Sequence, residues 1–98
     1  MNPPVVLRRL AQAEFDDAAD WYEGRQVGQG LAFTVAVRQV LADIKSRPEA
    51  HPEVYLDVRE ALVARYPYAI YYRPGRGRIT VLAVFHTSRD PSGWQLRA

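Results

Sequence analysis

The 98-residue sequence contains no cysteine and only two histidines, His51 and His86. Without cysteine, neither a disulfide framework nor a thiolate metal site can form. The two histidines show no metal-ligand spacing, so a zinc site would have to rely on carboxylates. We therefore expect no metal and no cofactor. A chain of this length can bury one hydrophobic core, with a small stability margin.

Long apolar runs are also missing. The longest strongly apolar stretch, from Ile79 to Phe85, is far too short to span a bilayer. The opening residues 1–4 lack the basic stretch and apolar run of a signal peptide. Hydrophobic residues make up 48% of the chain and charged residues 24%, which is ordinary for a globular protein. These features predict a single domain over residues 1–98, in the cytoplasm and without membrane contact.

Lysine is nearly absent, because twelve of the thirteen basic residues are arginine. The formal net charge of +2 is unevenly distributed. Residues 1–60 carry 7 basic and 10 acidic residues, a net of −3, whereas residues 61–98 carry 6 arginines against Asp90, a net of +5. Arginine suits bidentate contacts with phosphate or carboxylate. The basic part therefore indicates either an anionic partner, nucleic acid or acidic polypeptide, or pairing with the protein's own acidic helix.

Helical periodicity appears in two segments after a short strand at Val5–Leu7. Apolar residues at this spacing are Ala11, Phe15, Ala18 and Tyr22 in the first segment, and Phe33, Val37, Val40, Leu41 and Ile44 in the second. Gly24, Gly28 and Gly30 separate the segments, and Pro48 ends the second one. The pattern predicts a helical hairpin. The acidic residues of the first helix are expected to be surface charge, and Trp21 to pack in the core.

The remaining chain is strand-like after a predicted loop over residues 46–57. We predict strands over residues 58–64, 68–73 and 78–86, with a hairpin loop at residues 74–77. Strict alternation in the last strand would separate its residues into two sets. These are Ile79, Val81, Ala83 and Phe85 on one face, and Thr80, Leu82, Val84 and His86 on the other. Because both sets are largely apolar, one face is expected to pack on the helices and the other to need a cover.

The element order β-α-α-β-β-β predicts an α+β fold. In this fold the N-terminal helical hairpin packs on one face of a mainly antiparallel sheet. The tail from Asp90 to Trp94 can form a short turn or helix that supplies part of the cover for the second face. We expect the rest of that apolar face to be bare and to bind another polypeptide.

Several segments, in this order, resemble toxins of the RelE/ParE family of bacterial type II toxin–antitoxin systems. They are residues 18–23 (AADWYE), 28–33 (GQGLAF), 58–59 (VR), 65–73 (RYPYAIYYR) and 81–86 (VLAVFH), followed by Arg89-Asp90-Pro91 and Trp94. The resemblance covers nearly the whole chain. It implies a small α+β toxin that a cognate antitoxin wraps and neutralises in a heteromeric complex.

The resemblance leaves the cellular target open between two branches. RelE-like toxins cut messenger RNA on the ribosome without a metal, whereas ParE-like toxins poison DNA gyrase and have no established nuclease activity. The place of a catalytic arginine in RelE-like nucleases here reads Tyr66-Pro67-Tyr68, with Arg65 displaced, and a typical lysine-rich segment is missing. The ParE-like branch, a non-enzyme, is therefore favoured. A third possibility is an inactive member that only binds its antitoxin.

Candidate site residues follow from these hypotheses. In a RelE-like nuclease His86 would act as acid or base, and Arg59, Arg73 and Arg89 would surround the phosphate. Alternatively, His86 is structural and the arginines serve the antitoxin. In a ParE-like toxin, the expected contacts with target or antitoxin are Arg65, Tyr72, Arg89, Trp94 and Arg97.

Overall fold

The computed structural model describes residues 3–98. Met1 and Asn2, which belong to the predicted domain over residues 1–98 and to the N-terminal segment considered above, lie outside the described residues. The elements, in chain order, are β1 (Val5–Leu7), α1 (Arg9–Arg25), α2 (Gln29–Ser46), β2 (Glu53–Tyr55), β3 (Val58–Leu62), β4 (Tyr68–Pro74), β5 (Ile79–His86) and α3 (Ser92–Gln95). The α+β class and the helical hairpin are confirmed. One strand was missed, since β2 lies inside the predicted loop. It is only three residues long and wholly exposed, so no alternation marks it in the sequence.

The strands form one sheet in the order β1-β5-β4-β3-β2. Strand β1 pairs in parallel with β5, while the other neighbouring pairs are antiparallel. The prediction of a mainly antiparallel sheet is therefore confirmed. The β4–β5 hairpin closes through the predicted loop, where the Gly75 amide donates to the Arg78 carbonyl at 3.0 Å.

The turn between the two long helices is shorter than the glycine pattern suggested, because α1 continues past Gly24. The Glu23 carboxylate accepts hydrogen bonds from the Gly28 amide at 3.1 Å and the Gly30 amide at 3.0 Å. These bonds satisfy free amides at the positive end of α2. Gly30 is required by the close helix contact, since a Cβ there would lie 2.8 Å from the Ala19 carbonyl oxygen. Glu23, expected only as surface charge, is exposed and also caps α2.

The helices cover one face of the sheet and form the larger core cluster with it. Phe33, which is fully buried, lies at its centre. Its ring centroid is within 6.2 Å of four other aromatic rings, those of Phe15, Tyr22, Tyr66 and Tyr68. This helix-facing cluster comprises Ala11, Phe15, Ala18, Phe33, Val37, Ile44, Ala61, Val63, Ile70, Tyr72, Ile79, Val81 and Val84.

A β-bulge in β5 changes which side chains share a face. Tyr71 pairs with Ala83 and Tyr72 pairs with Val81, so Leu82 is an extra residue in the ladder. As a result, Leu82 and Ala83 both belong to the cluster on the second face, and Val84 to the helix-facing cluster. The strict alternation predicted for β5 is therefore wrong beyond Leu82. The sequence contains no sign of the bulge, because the residues on both sides of it are apolar.

The second face of the sheet carries the smaller cluster of Val58, Ala69, Tyr71, Leu82, Ala83, Phe85 and Trp94. We call residues 87–98 the C-terminal tail. Its helix α3 lays the Trp94 ring on the Tyr71 ring, with centroids 3.9 Å apart and planes inclined by 13°. Gly93 lies against Phe85 so closely that a Cβ would be 2.8 Å from the ring. The prediction that this face is bare is therefore wrong, because the tail doubles back over it.

Candidate functional site

The residues predicted to form a nuclease site lie at opposite ends of the sheet. His86 pairs with Tyr68 at the start of β4, and Arg89 follows three residues later. Arg73 lies near the end of β4, and Arg59 of β3 is paired with Tyr72, the residue before Arg73. Tyr68 and Arg73 are five residues apart along β4, which corresponds to a distance of about 17 Å. The structure brings His86 and Arg89 together in one cleft. It places Arg59 and Arg73 at the other end of the sheet on opposite faces, because Arg59 is paired with Tyr72 and Arg73 is the next residue of β4.

Arg59 and Arg73 are both held by other parts of the chain. The Arg59 guanidinium donates to the carbonyls of Glu49 at 3.1 Å and His51 at 2.6 Å. The Arg73 Nε donates to the Asp57 carboxylate at 2.8 Å, and this hydrogen bond lowers the pKa of Asp57. Both arginines therefore tie the segment before β3 onto the sheet.

His86 has one of its two ring nitrogens occupied. Its Nδ1 accepts a hydrogen bond from the Ser88 amide at 3.1 Å and lies 2.8 Å from the Ser88 hydroxyl oxygen. Since a backbone amide can only donate, the proton of the neutral ring must sit on Nε2. His86 lines a cleft of about 230 Å³ together with Trp21, Tyr68 and Arg89. Only Nε2 remains for proton transfer there, and in the neutral ring it is a donor rather than a base.

Trp21 is 57% exposed, so the prediction that it packs in the core is wrong. The core face of α1 carries Phe15 and Ala18, and Trp21 projects beside it. The Trp21 ring packs edge-on against Tyr22, with centroids 5.0 Å apart. The guanidinium of Arg25 covers it at 5.1 Å from the ring centroid. An exposed tryptophan at a cleft is available to a ligand or partner.

Two of the expected contact residues, Tyr72 and Trp94, are buried. Tyr72 is fully buried in the helix-facing cluster, where its hydroxyl donates to the Pro48 carbonyl at 2.6 Å. Burial raises the pKa of Tyr72 to about 12. Trp94 is 3% exposed, and its Nε1 has no hydrogen-bond acceptor among residues 3–98. Neither side chain can reach a partner in this conformation.

Arg97 belongs to a polar network along the open edge of β5. Strand β1 ends at Leu7, so beyond Val81 no strand formed by residues 3–98 neighbours β5 on that side. Arg97 donates to the Leu82 carbonyl at 3.0 Å, and its guanidinium pairs with Glu14 at 2.8 Å. Glu14 in turn accepts from the Val84 amide at 3.1 Å, and its hydrogen bonds raise the pKa of Arg97. Sequence analysis missed Glu14, since nothing local distinguishes it from the other acids of α1.

A groove of about 560 Å³ runs along α2 and ends at the turn between β3 and β4. We call it the α2 groove; it is lined by Gly28, which precedes α2, by Leu31, Ala32, Val35, Ala36 and Gln39 of α2, and by Ala64, Arg65 and Tyr66 of the turn. Leu31 and Val35 are 69% and 46% exposed. Arg65 is exposed and has a left-handed backbone with φ of 72°. The signal in the sequence was a second apolar stripe on α2, at Leu31 and Val35.

Neither a metal site nor a membrane span is found in the part of the chain that the structure describes. Residues 3–98 contain no group of three or more histidine, cysteine, aspartate or glutamate side chains placed to hold a metal ion. No helix among them is both long enough and apolar enough to cross a bilayer.

Comparison with known proteins identifies relatives of the chain. The model of the family described as ParE toxin of type II toxin-antitoxin system, parDE, matches residues 5–91. Among solved structures, the chromosomal ParDE TA system from P. aeruginosa is similar, with a TM-score of 0.65 and 18% sequence identity. The alignment covers 88% of this chain and 97% of that chain. At this identity the likeness shows a shared fold. No curated protein sequence matches the chain.

Proposed function

Because the chain belongs to the ParE toxin family of type II toxin–antitoxin systems, we propose that it arrests bacterial growth by poisoning DNA gyrase. We further propose that it acts in the cytoplasm and that a cognate antitoxin neutralises it. The observation that carries this proposal is the family match over residues 5–91, which extends from β1 to the tail.

The separation of the candidate catalytic residues supports a toxin that acts by binding rather than by cutting RNA. A metal-free ribonuclease needs an acid or base and stabilising cations at the same phosphate. Here His86 of β5 lies beside Tyr68 at the start of β4, whereas Arg73 lies five residues further along β4, about 17 Å away. Arg59 and Arg73 are moreover engaged within the chain, at Glu49, His51 and Asp57.

The exposed charge supports an acidic protein partner. Arg65, Arg76 and Arg78 are exposed and take part in none of the ion pairs formed within residues 3–98. All three belong to the basic part of the chain, residues 61–98, whose net charge is +5. Arg65 lies in the turn before β4, and Arg76 and Arg78 lie after β4, so exposed positive charge is present at both ends of this strand. Exposed positive charge attracts an acidic polypeptide and accelerates its association.

The proposed target is tested by adding the purified chain to DNA gyrase and relaxed plasmid. We expect supercoiling to be inhibited and cleaved plasmid to accumulate, and the cognate antitoxin to reverse both effects. In cells, expression of the chain alone should induce the DNA-damage response. Normal supercoiling together with cleaved transcripts would contradict the gyrase proposal and favour the nuclease.

The matched control is His86→Ala. We expect this variant to be as toxic as the natural chain, because His86 is not part of a gyrase-binding surface in the proposal. Loss of growth arrest in His86→Ala, with folding and antitoxin binding preserved, would support a ribonuclease instead. No growth defect from the natural chain, with folded protein present, would support an inactive family member.

A further inference from the structure

We propose that a cavity lined by three arginines binds the sugar–phosphate backbone of DNA. The cavity lies where α1 begins, next to β5 and the end of the C-terminal tail, and we call it the arginine cavity. Its volume is about 480 Å³, and its lining residues are Arg8, Arg9, Leu10, Leu82 and Arg97. Insofar as the DNA is that on which gyrase acts, this inference rests on the proposed function.

The charge of the arginine cavity is positive throughout. Among residues 3–98, the charged residues that line it are all arginines. Arg97 is neutralised by Glu14, whose carboxylate lies 2.8 Å from its guanidinium. Arg8 and Arg9 are exposed and form no ion pair within the described part of the chain. Two uncompensated guanidinium groups therefore line one cavity.

Hydrogen bonds among the lining residues hold the cavity together. The Arg8 guanidinium donates to the backbone carbonyl of Arg97 at 2.9 Å, and Arg97 donates to the carbonyl of Leu82 at 3.0 Å. These bonds join the start of α1, the tail and β5, which are far apart in the sequence. The bond to Arg97 uses one of the N–H donors of the Arg8 guanidinium, so other donors of this group remain for a ligand.

Arg8 and Arg9 lie where a positive charge is unfavourable for the helix itself. Arg8 directly precedes α1 and Arg9 is its first residue, at the positive end of the helix dipole. The first turn of α1 contains no acid, and no side chain caps its amides. Neither arginine therefore stabilises α1. A bound anion, in contrast, is stabilised both by the two side chains and by the dipole.

Phosphodiester groups fit this set of donors. Contacts to the DNA backbone come from arginine and lysine side chains and from backbone amides at the start of helices. A guanidinium group binds phosphate oxygens through two parallel hydrogen bonds. Two free arginines in one cavity suit a polyanion with regularly spaced charges, and each DNA strand carries one charge per about 3.4 Å. The sugar–phosphate backbone therefore matches the charge of the arginine cavity.

An acidic polypeptide is a poorer occupant of the arginine cavity. A polypeptide that docks stably also packs apolar side chains against its partner. Here Leu10, at 56% exposure, is the only exposed apolar residue among those of residues 3–98 that line the cavity, because Leu82 is fully buried. Charge is therefore the main interaction that the cavity offers, as in sequence-independent binding of DNA.

The first experiment measures DNA binding by fluorescence anisotropy, with a labelled DNA duplex of about 20 base pairs as the probe. Near physiological salt we expect a Kd of about 10⁻⁴ to 10⁻⁶ M, the range of sequence-independent binding. Arg8→Gln and Arg9→Gln should each raise Kd about 5-fold. Each should also make the decline of log K with log salt concentration shallower by about 0.9.

The matched control is Arg76→Gln. Arg76 is an exposed arginine of the β4–β5 hairpin loop outside the arginine cavity, so this variant loses the same charge at another place. We expect it to raise Kd less than about 2-fold. No binding of the duplex by the natural chain, or an equal loss in all three variants, would overturn the proposal.

Arg9→Gln separates DNA binding from folding. Removing a cation from the positive end of α1 should leave the thermal midpoint unchanged or slightly raised, whereas Arg8→Gln also removes the bond to the Arg97 carbonyl. Arg9→Gln therefore keeps the proposal testable if Arg8→Gln loosens the tail. Arg9→Lys should retain most of the affinity, since it keeps the charge. A lower thermal midpoint in Arg9→Gln with unchanged DNA affinity would give Arg9 a structural role instead.

A further probe, a labelled polyglutamate peptide, separates DNA from an acidic polypeptide. At equal ionic strength we expect the natural chain to bind it more weakly than the duplex. Arg9→Gln should weaken this binding no more than Arg76→Gln does. Tighter binding of polyglutamate than of the duplex, with a specific loss in Arg9→Gln, would overturn the proposal and make the cavity a site for acidic polypeptides.

The gyrase assay distinguishes failure of this inference from failure of the proposed function. If the natural chain poisons gyrase but Arg8→Gln and Arg9→Gln bind DNA as Arg76→Gln does, the cavity assignment fails and the proposed function stands. If the natural chain binds DNA through Arg8 and Arg9 but leaves supercoiling normal, the proposed function fails and the cavity assignment stands.

Discussion

The two faces of the sheet are closed by very different means. On one face, helices of 17 and 18 residues bury a continuous cluster in which four aromatic rings surround that of Phe33. On the other face, a helix of four residues brings a single tryptophan onto Tyr71. The cover of the first face consists of two long helices that pack against each other as well as against the sheet. The cover of the second face depends on a few contacts of the C-terminal tail.

The difference between the two faces indicates that the C-terminal tail is locally less stable than the two long helices. The Nε1 of Trp94 is buried without an acceptor among the described residues, and such a group costs about 1–3 kcal/mol. Phe33 and its neighbours carry no comparable penalty. Segments with few buried contacts open before the rest of a domain. We therefore expect the tail to open locally while the helices stay packed.

The largest decrease in the free energy of unfolding is expected from Phe33→Ala. Phe33 is fully buried in contact with four aromatic rings, and truncating such a residue costs about 3–5 kcal/mol. This is a large part of the total free energy of unfolding of a small domain, about 5–15 kcal/mol. Urea denaturation followed by circular dichroism measures it. A loss below about 1 kcal/mol would mean that the helix-facing cluster can close around the gap.

Trp94→Ala should destabilise the chain less, by about 2 kcal/mol, because losing the stacked ring also removes the unpaired donor. Trp94→Phe is the matched control, since it keeps an aromatic ring and drops the donor, and it should cost about 1 kcal/mol or less. Hydrogen exchange should show faster opening of residues 92–95 in Trp94→Ala, with α1 and α2 unchanged. A loss as large as that of Phe33→Ala would contradict the comparison of the two faces.

The smallest expected effect is on the pH dependence of the free energy of unfolding, and it involves the turn that leads into α3. The Asp90 carboxylate accepts from the Ser92 amide at 3.0 Å, and this bond lowers the pKa of Asp90 below its ordinary value of 3.8. A lowered pKa in the folded state means that the ionised group stabilises the fold above that ordinary value. The contribution is lost as the pH falls through the lowered pKa.

The free energy of unfolding of the natural chain should fall between about pH 5 and about pH 3 as Asp90 becomes protonated. Asp90→Asn should therefore show a smaller fall over the same range. Urea denaturation across that range measures the slope, and Asp20→Asn, an exposed acid of α1, is the control. Asp90 lies on the surface, so the difference in slope should be small. Identical slopes in Asp90→Asn and the natural chain would show that the turn adds no pH dependence to the tail.

Strong local patterns were predictable from the sequence. The helical spacing of Phe15 with Tyr22, seven residues apart, and of Phe33 with Val37, four residues apart, correctly indicated two amphipathic helices. Pro48 correctly indicated the end of the second helix. Patterns without local contrast were not predictable. The bulge at Leu82 lies in a strand that is apolar on both faces, so one residue could shift without any visible break in the pattern.

The candidate site was less predictable than the fold, for a physical reason. Arg65 was expected to contact a target or antitoxin, and its exposed position beside Val35 depends on the turn between β3 and β4 folding against α2. Trp94 was expected at a partner surface, yet its ring is buried on Tyr71. Whether a tail residue is buried depends on its contacts with strands of the sheet, and a short tail has no sequence periodicity from which these contacts could be predicted.

By itself, the sequence determined the helical hairpin, the main strands and membership in the toxin family, because each depends on residues that are neighbours along the chain. Only the tertiary structure decided that His86 and Arg73 lie near opposite ends of the β4–β5 pair, and that Arg97 reaches back to Glu14. It also decided that the tail closes the second face. These arrangements join residues that are far apart in the chain, and the packing that unites them is set by volume and hydrogen bonding in three dimensions.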